Sequence, residues 1–151
     1  MTPTTFDTEF KRLTTEMVEI AFEYIGRNTE ETDGIYIYAS MENRIYFFNL
    51  FYNIHQQPIK KDFVNNILNR KVDDSDETVD ELLSTGSHLL IELAGLFEDD
   101  KREVPALLKM VYLPKTGSFD CEVIYEPQYS HHKTMTNVDV FNNWFKEMHT
   151  K

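Results

Sequence analysis

The sequence predicts an α+β domain: an antiparallel sheet of two β-hairpins with helices packed on one face, in the order α-ββ-(α)-α-ββ-α. Three observations lead there. Two long stretches carry apolar residues at helical spacing, two pairs of aromatic and β-branched runs are joined by short turns, and no linker divides the chain. At 151 residues, residues 1–151 read as a single domain with a real core.

The first helix runs from Thr4 to Gly26. Phe6, Phe10, Leu13, Met17, Ile20, Ala21 and Tyr24 recur every three or four residues, Thr4 or Thr5 caps the start, and Gly26 ends it. After a polar stretch, "IYIYAS" and "RIYFFNLFYN" read as a hairpin around "MEN". Ile35, Ile37 and Ala39 share one face of its first strand, and Tyr36, Tyr38 and Ser40 share the other. In the second strand both faces are apolar, with Asn49 and Asn53 alongside Phe47 and Phe51, so pattern alone leaves the core side open.

Pro58 leads into a basic patch and a short helix over about 60–69. The segment "SDETVDELLSTGSHLLIELAGLFEDD" follows as a second long helix, with Ser75 as its cap. Gly86 costs this helix about 1 kcal/mol relative to alanine and marks a place for a bend. "ALLKMVYLP", a "KTGS" turn and "SFDCEVIYE" form the second hairpin. In it Phe119, Cys121, Val123 and Tyr125 alternate with acids, predicting one buried face and one wet one. Asn137 caps a last helix carrying Val138, Phe141, Trp144, Phe145 and Met148.

The net charge is −11, and it is regional. From Asp73 to Glu103 there are eleven acids and two bases, against 15 acids and 13 bases elsewhere. Nucleic-acid binding is disfavoured, since it needs Lys and Arg against phosphates. A basic protein partner is favoured, because complementary fields speed encounter. A solvated acidic helix that merely keeps the chain soluble is the plain alternative. Of Asp73, Asp74, Asp76, Glu77, Asp80 and Glu81, those in the first turn sit where the helix dipole welcomes negative charge, which gives a structural reason for roughly half of the stretch. Glu98, Asp99 and Asp100 sit at the opposite end, where each costs about 0.3–1 kcal/mol, so local stability does not explain them.

Chemistry-bearing motifs are sparse. The five glycines set up no phosphate loop, and neither a zinc-protease nor a nucleophile-elbow motif occurs. Cys121 is the single cysteine, which excludes an internal disulfide. His131 and His132, with Glu126 or Asp139, are the best metal candidates, but adjacent residues of an extended chain point opposite ways. Exposed acids on one helix are poorly placed for the divergent pKa values that paired catalytic carboxylates need. No cofactor is expected. The amino terminus lacks a secretory pattern and no run is long enough for a membrane span, so a cytoplasmic location is expected. Tyr36 and Tyr38 are the candidates for an exposed aromatic contact.

The leading helix, "GIYIYASMENRIYFFNLFY", "VDELLSTGSHLLIELAGLFEDD", Pro105, "LPKTGSFDCEVIYE" and "FNNWFKEM" together resemble the YezG-like family of bacterial immunity proteins, which includes the EsaG antitoxins. Family members often carry a glycine-rich turn and a Pro-Trp where this chain has Met41-Glu42-Asn43 and Pro105-Ala106. The resemblance implies a non-enzymatic cytoplasmic antitoxin that binds a secreted toxin, typically a nuclease, through Asp73 to Glu81 and Glu98 to Asp100. The competing expectations are a small-ligand-binding or regulatory domain and a hydrolase using the His131-His132 loop.

Overall fold

The computed structural model describes residues 5–149. Its elements are α1 (Thr5–Tyr24), β1 (Thr32–Ser40), β2 (Phe47–Ile54), β3 (Gln57–Lys60), α2 (Asp76–Asp99), β4 (Leu107–Leu113), β5 (Ser118–Ile124) and α3 (Asn137–His149). The α+β class and the antiparallel sheet are as predicted, but the sheet has five strands, in the order β3-β2-β1-β4-β5. The extra strand, β3, is only four residues long and contains Pro58. Its turn, His55-Gln56, has φ of 51° and 63°, the double left-handed geometry of a two-residue hairpin built here without glycine. The helix predicted over 60–69 is a 3-10 helix, Lys61–Asn66. Among the described residues, no helix is long and apolar enough to cross a membrane.

The helices lie on both faces of the sheet rather than one. Ile35, Ile37, Ala39, Phe48, Leu50, Tyr52, Leu108 and Met110 meet α1 and α2 in the larger core. Tyr36, Tyr38, Phe51 and Leu107 pack against Phe141 and Trp144 of α3 on the opposite face. Two-sided burial explains why β1 and β2 are apolar on both faces: a strand with one wet face alternates, and these are covered twice. β5 departs from expectation in the other direction. Its apolar side points toward the α1 side of the sheet, yet Phe119 and Val123 are exposed, with Tyr125 just beyond, because β5 is an edge strand with nothing on its outer side among the described residues.

The termini of the helices follow known chemistry. Ser75 Oγ accepts from Thr78 N–H as the cap of α2. α1 ends with Gly26 at φ 70° and Arg27 N–H donating to Phe22 O. Thr4, a predicted cap, lies outside the described residues. For α3 the cap is Thr136, whose hydroxyl accepts from Asp139 N–H while the Asp139 carboxylate accepts from Thr136 N–H. Asn137 is buried instead, accepting from the Tyr38 hydroxyl at 2.9 Å and so fastening the start of α3 to β1.

Gly86 does not bend α2, which continues unbroken to Asp99. It lies where α2 crosses β2, and a Cβ there would overlap the Phe48 ring. At Gly95, on the same helix, a Cβ would point into open space. Gly86→Ala is therefore expected to destabilise the fold by about 1–3 kcal/mol through overpacking, despite alanine's better propensity. Gly95→Ala is expected to stabilise it by about 0.5–1 kcal/mol. Denaturant unfolding of both variants checks the contrast, and equal effects at the two sites would contradict the packing account.

Candidate functional site

The acidic stretch divides into a structural part and a free part. Asp73 belongs to the cap: its carboxylate accepts from Thr78 Oγ1 at 2.7 Å and Ser75 N–H at 3.0 Å, and these bonds hold its pKa below the usual range. Asp74, Asp76, Glu77, Asp80 and Glu81 are exposed, and among the described residues none of their carboxylates makes a hydrogen bond or ion pair. Glu23 of α1 joins Glu81 around a shallow groove with Tyr24, Thr78 and Leu82. The field of this end reaches inward: burial raises the Tyr24 phenol pKa first, and Asp74, Asp62 and Asp73 raise it further.

Glu98, Asp99 and Asp100 do not extend this patch. Glu98 lies seventeen positions after Glu81, roughly 25 Å of helix at about 1.5 Å per residue. Asp100 is paired with Arg102, and Glu98 lies 3.9 Å from Arg44. Glu98 instead borders a cleft of about 460 Å³ at one end of the sheet, with Glu42, Asn43, Arg44, Tyr46 and Tyr125 among its lining. Asn43 and Arg44 both have left-handed backbones, φ 56° and 59°, which costs two non-glycine residues some strain. Asn43 is a residue that tolerates this region, but nothing in "MENR" announces it for Arg44.

Tyr36 and Tyr38 are not exposed contacts. Tyr36 is 7 % and Tyr38 0 % exposed; Tyr36 stacks on Phe51 at 4.8 Å and meets Trp144 edge-on, while Tyr38 meets Phe141. The closing helix α3 covers them, and its apolar stripe needed a second sheet face to pack on. His131 and His132 are exposed, with ring centroids 4.2 Å apart. Among the described residues, no three His, Cys, Asp or Glu side chains come together as a ligand set. Cys121 is half-buried, and burial pushes its thiol pKa up to about 11, away from thiolate reactivity.

Two buried carboxylates escaped the sequence reading. Glu31, just before β1, accepts from Asn69 N–H, Arg70 N–H and the Asn28 amide, and its other contact is His55 Nε2 at 2.8 Å. Glu42, just after β1, accepts from the backbone N–H groups of Gln128, Tyr129 and Ser130. Each organises loops from distant parts of the chain, and neither touches the free acids of α2. In "NTEETDG" and "MEN" nothing distinguishes them from solvated glutamates.

No protein-family model matches the chain, and no curated protein matches it.

The backbone N–H of Asn69 is the largest influence holding the Glu31 pKa down, to about 2 from an ordinary 4.5, and it outweighs burial, which acts the other way. A carboxylate depressed on folding contributes stability that is complete above 4.5 and is lost as pH falls toward about 2. Glu31→Gln is expected to lower stability at neutral pH by about 1–3 kcal/mol and to flatten the acid limb of the stability curve within that window. Urea unfolding at stepped pH checks both; an unchanged acid limb would remove Glu31 as its source.

Proposed function

We propose that this chain is a cytoplasmic immunity protein that acts by binding, without catalysis of its own, and neutralises a toxin whose active domain is basic, as a nuclease domain is. The observation that carries the reading is the start of α2: the side chains of Asp74, Asp76, Glu77, Asp80 and Glu81 are exposed and unpaired among the described residues, with Glu23 beside them. The helix dipole accounts for charge in the first turn, at Asp76 and Glu77, but not for Asp80 and Glu81 in the second. A surface of one sign steers an oppositely charged partner and, once seated on a phosphate-binding surface, excludes nucleic acid by repulsion. The resemblance to the YezG-like family points to the same class of partner.

The sheet-end cleft supports a second reading, a small-ligand-binding domain. It is concave, offers Tyr46, Tyr125 and Arg44, and is shaped by two strained residues. Thermal stabilisation by a metabolite, abolished by Arg44→Ala, would favour that reading over the first.

Affinity capture on the tagged chain at moderate salt, with bound proteins identified by mass spectrometry, tests the proposal. The expected catch is a stoichiometric secreted protein whose isolated basic domain is toxic and is neutralised by this chain. Reversal of Asp76, Glu77, Asp80 and Glu81 to lysine is expected to slow association with that domain by roughly 10-fold or more and to weaken protection. All four side chains are exposed, so circular dichroism of the variant should match the parent. Unchanged association and protection would remove this end of α2 from the mechanism.

A further inference from the structure

The two edges of the sheet are unlike. β3 is short, interrupted by Pro58, and flanked by α3 through the Lys60 ammonium, which donates to Asn142 Oδ1 at 2.8 Å. β5 pairs with β4 over seven residues, contains no proline, and has no neighbour on its outer side among the described residues. An edge of that length leaves alternate N–H and C=O groups unpaired and open to another strand. Its two faces also differ. Phe119 and Val123, 43 % and 39 % exposed, look toward the α1 side, where a groove of about 500 Å³ runs between α1 and the hairpin, lined by Val18, Phe22, Tyr112 and Phe119. Asp120 and Glu122 look the other way, exposed, with no hydrogen bond or ion pair among the described residues. Lys109 stands opposite Glu122 in the register, but its ammonium sits over the Trp144 ring, 5.2 Å from the centroid.

We propose that the outer edge of β5 is a docking edge for an extended segment of the basic partner, whose side chains alternate between basic and apolar. The inference rests on the reading of the chain as an immunity protein for a basic toxin. A strand added beside β5 gains main-chain hydrogen bonds. Its side chains on the α1 side meet Phe119, Val123 and the groove, and those on the other side meet Asp120 and Glu122. Apolar residues suit the first set of positions, and Lys or Arg suit the second. A second copy of this chain is disfavoured in the most fully overlapping register: in an antiparallel β5–β5 pair centred on Cys121, Asp120 of each copy faces Glu122 of the other, and like charges directly opposite destabilise a pair.

Hydrogen–deuterium exchange of the full chain tests this with two synthetic peptides of about eight residues, within the usual range of strand lengths, one alternating Lys with Val and one alternating Glu with Val. The Lys-Val peptide is expected to slow exchange of residues 118–124 several-fold, and the Glu-Val peptide is not. Asp120→Lys with Glu122→Lys is expected to abolish the slowing, and the milder Asp120→Asn with Glu122→Gln to reduce it. Reversal of the four α2 acids should leave it in place. Equal slowing by both peptides, slowing confined to α2, or no slowing at β5 would overturn the proposal. So would concentration-dependent protection of β5 without peptide, which would put a second copy there. If the toxic domain is captured equally well by the Asp120→Lys, Glu122→Lys chain, the docking edge is wrong while the immunity reading stands. If the wild-type chain captures no toxic protein, that reading fails while the peptide result still decides what β5 binds.

Discussion

The rest of the structure depends on the burial of β1 on both faces. Ile35, Ile37 and Ala39 on one side and Tyr38 on the other are fully buried, so the strand is the floor of two cores. Each core recruits its own helices. α1 and α2 are joined by the Phe6–Phe97 edge contact and by Arg12, which bridges Glu9 and Glu16 of α1 to Glu92 of α2, and both cover one face. On the other face, α3 packs Phe141 and Trp144 against Tyr36 and Phe51 and receives the Tyr38 hydroxyl at Asn137. Moving β1 by one residue would exchange isoleucines for tyrosines in both cores at once, so its register is doubly specified.

Both ends of that strand are tied by buried carboxylates with complementary tasks. Glu31 gathers the His55 turn and the 69–70 segment, and the Asp33 carboxylate adds bonds to Gln56 N–H and Lys115 beside it. Glu42 gathers the 128–130 loop at the opposite end. A buried carboxylate is costly unless hydrogen-bonded, and both are held by several donors. The acids beside β1 hold the fold together, whereas Asp74, Asp76, Glu77, Asp80 and Glu81 at the α2 start and Asp120 and Glu122 of β5 are left to solvent or a partner.

Much of this was legible in the sequence. The helical spacing of α1, α2 and α3 and the two main hairpins came through because each follows a single period. The apolar character of both faces of β2 was visible but left the core side open, and because helices were expected on one face only, α3 was misplaced and Tyr36 and Tyr38 were left as candidates for exposure. β3 was hidden by its length and by Pro58, and its turn by the use of His55 and Gln56 where glycine or asparagine usually stands. The alternation of β5 was read correctly as two faces. Its exposure depends on where the strand lies in the sheet, which no local pattern encodes. For the acids, sequence separated the α2 start, where the dipole acts, from the α2 end. It could not mark Asp73 as a cap ligand or Glu31 and Glu42 as buried anchors, because those roles depend on loops distant in the chain.

Native-state hydrogen exchange across β1 tests the central claim most directly. If the strand is the shared floor of both cores, the amides of Ile35 to Ala39 exchange only through global unfolding. They then show the largest protection in the molecule and a denaturant dependence equal to that of equilibrium unfolding. If they open at lower free energy while α1 and α2 stay protected, the helices hold together without the strand and the account is wrong.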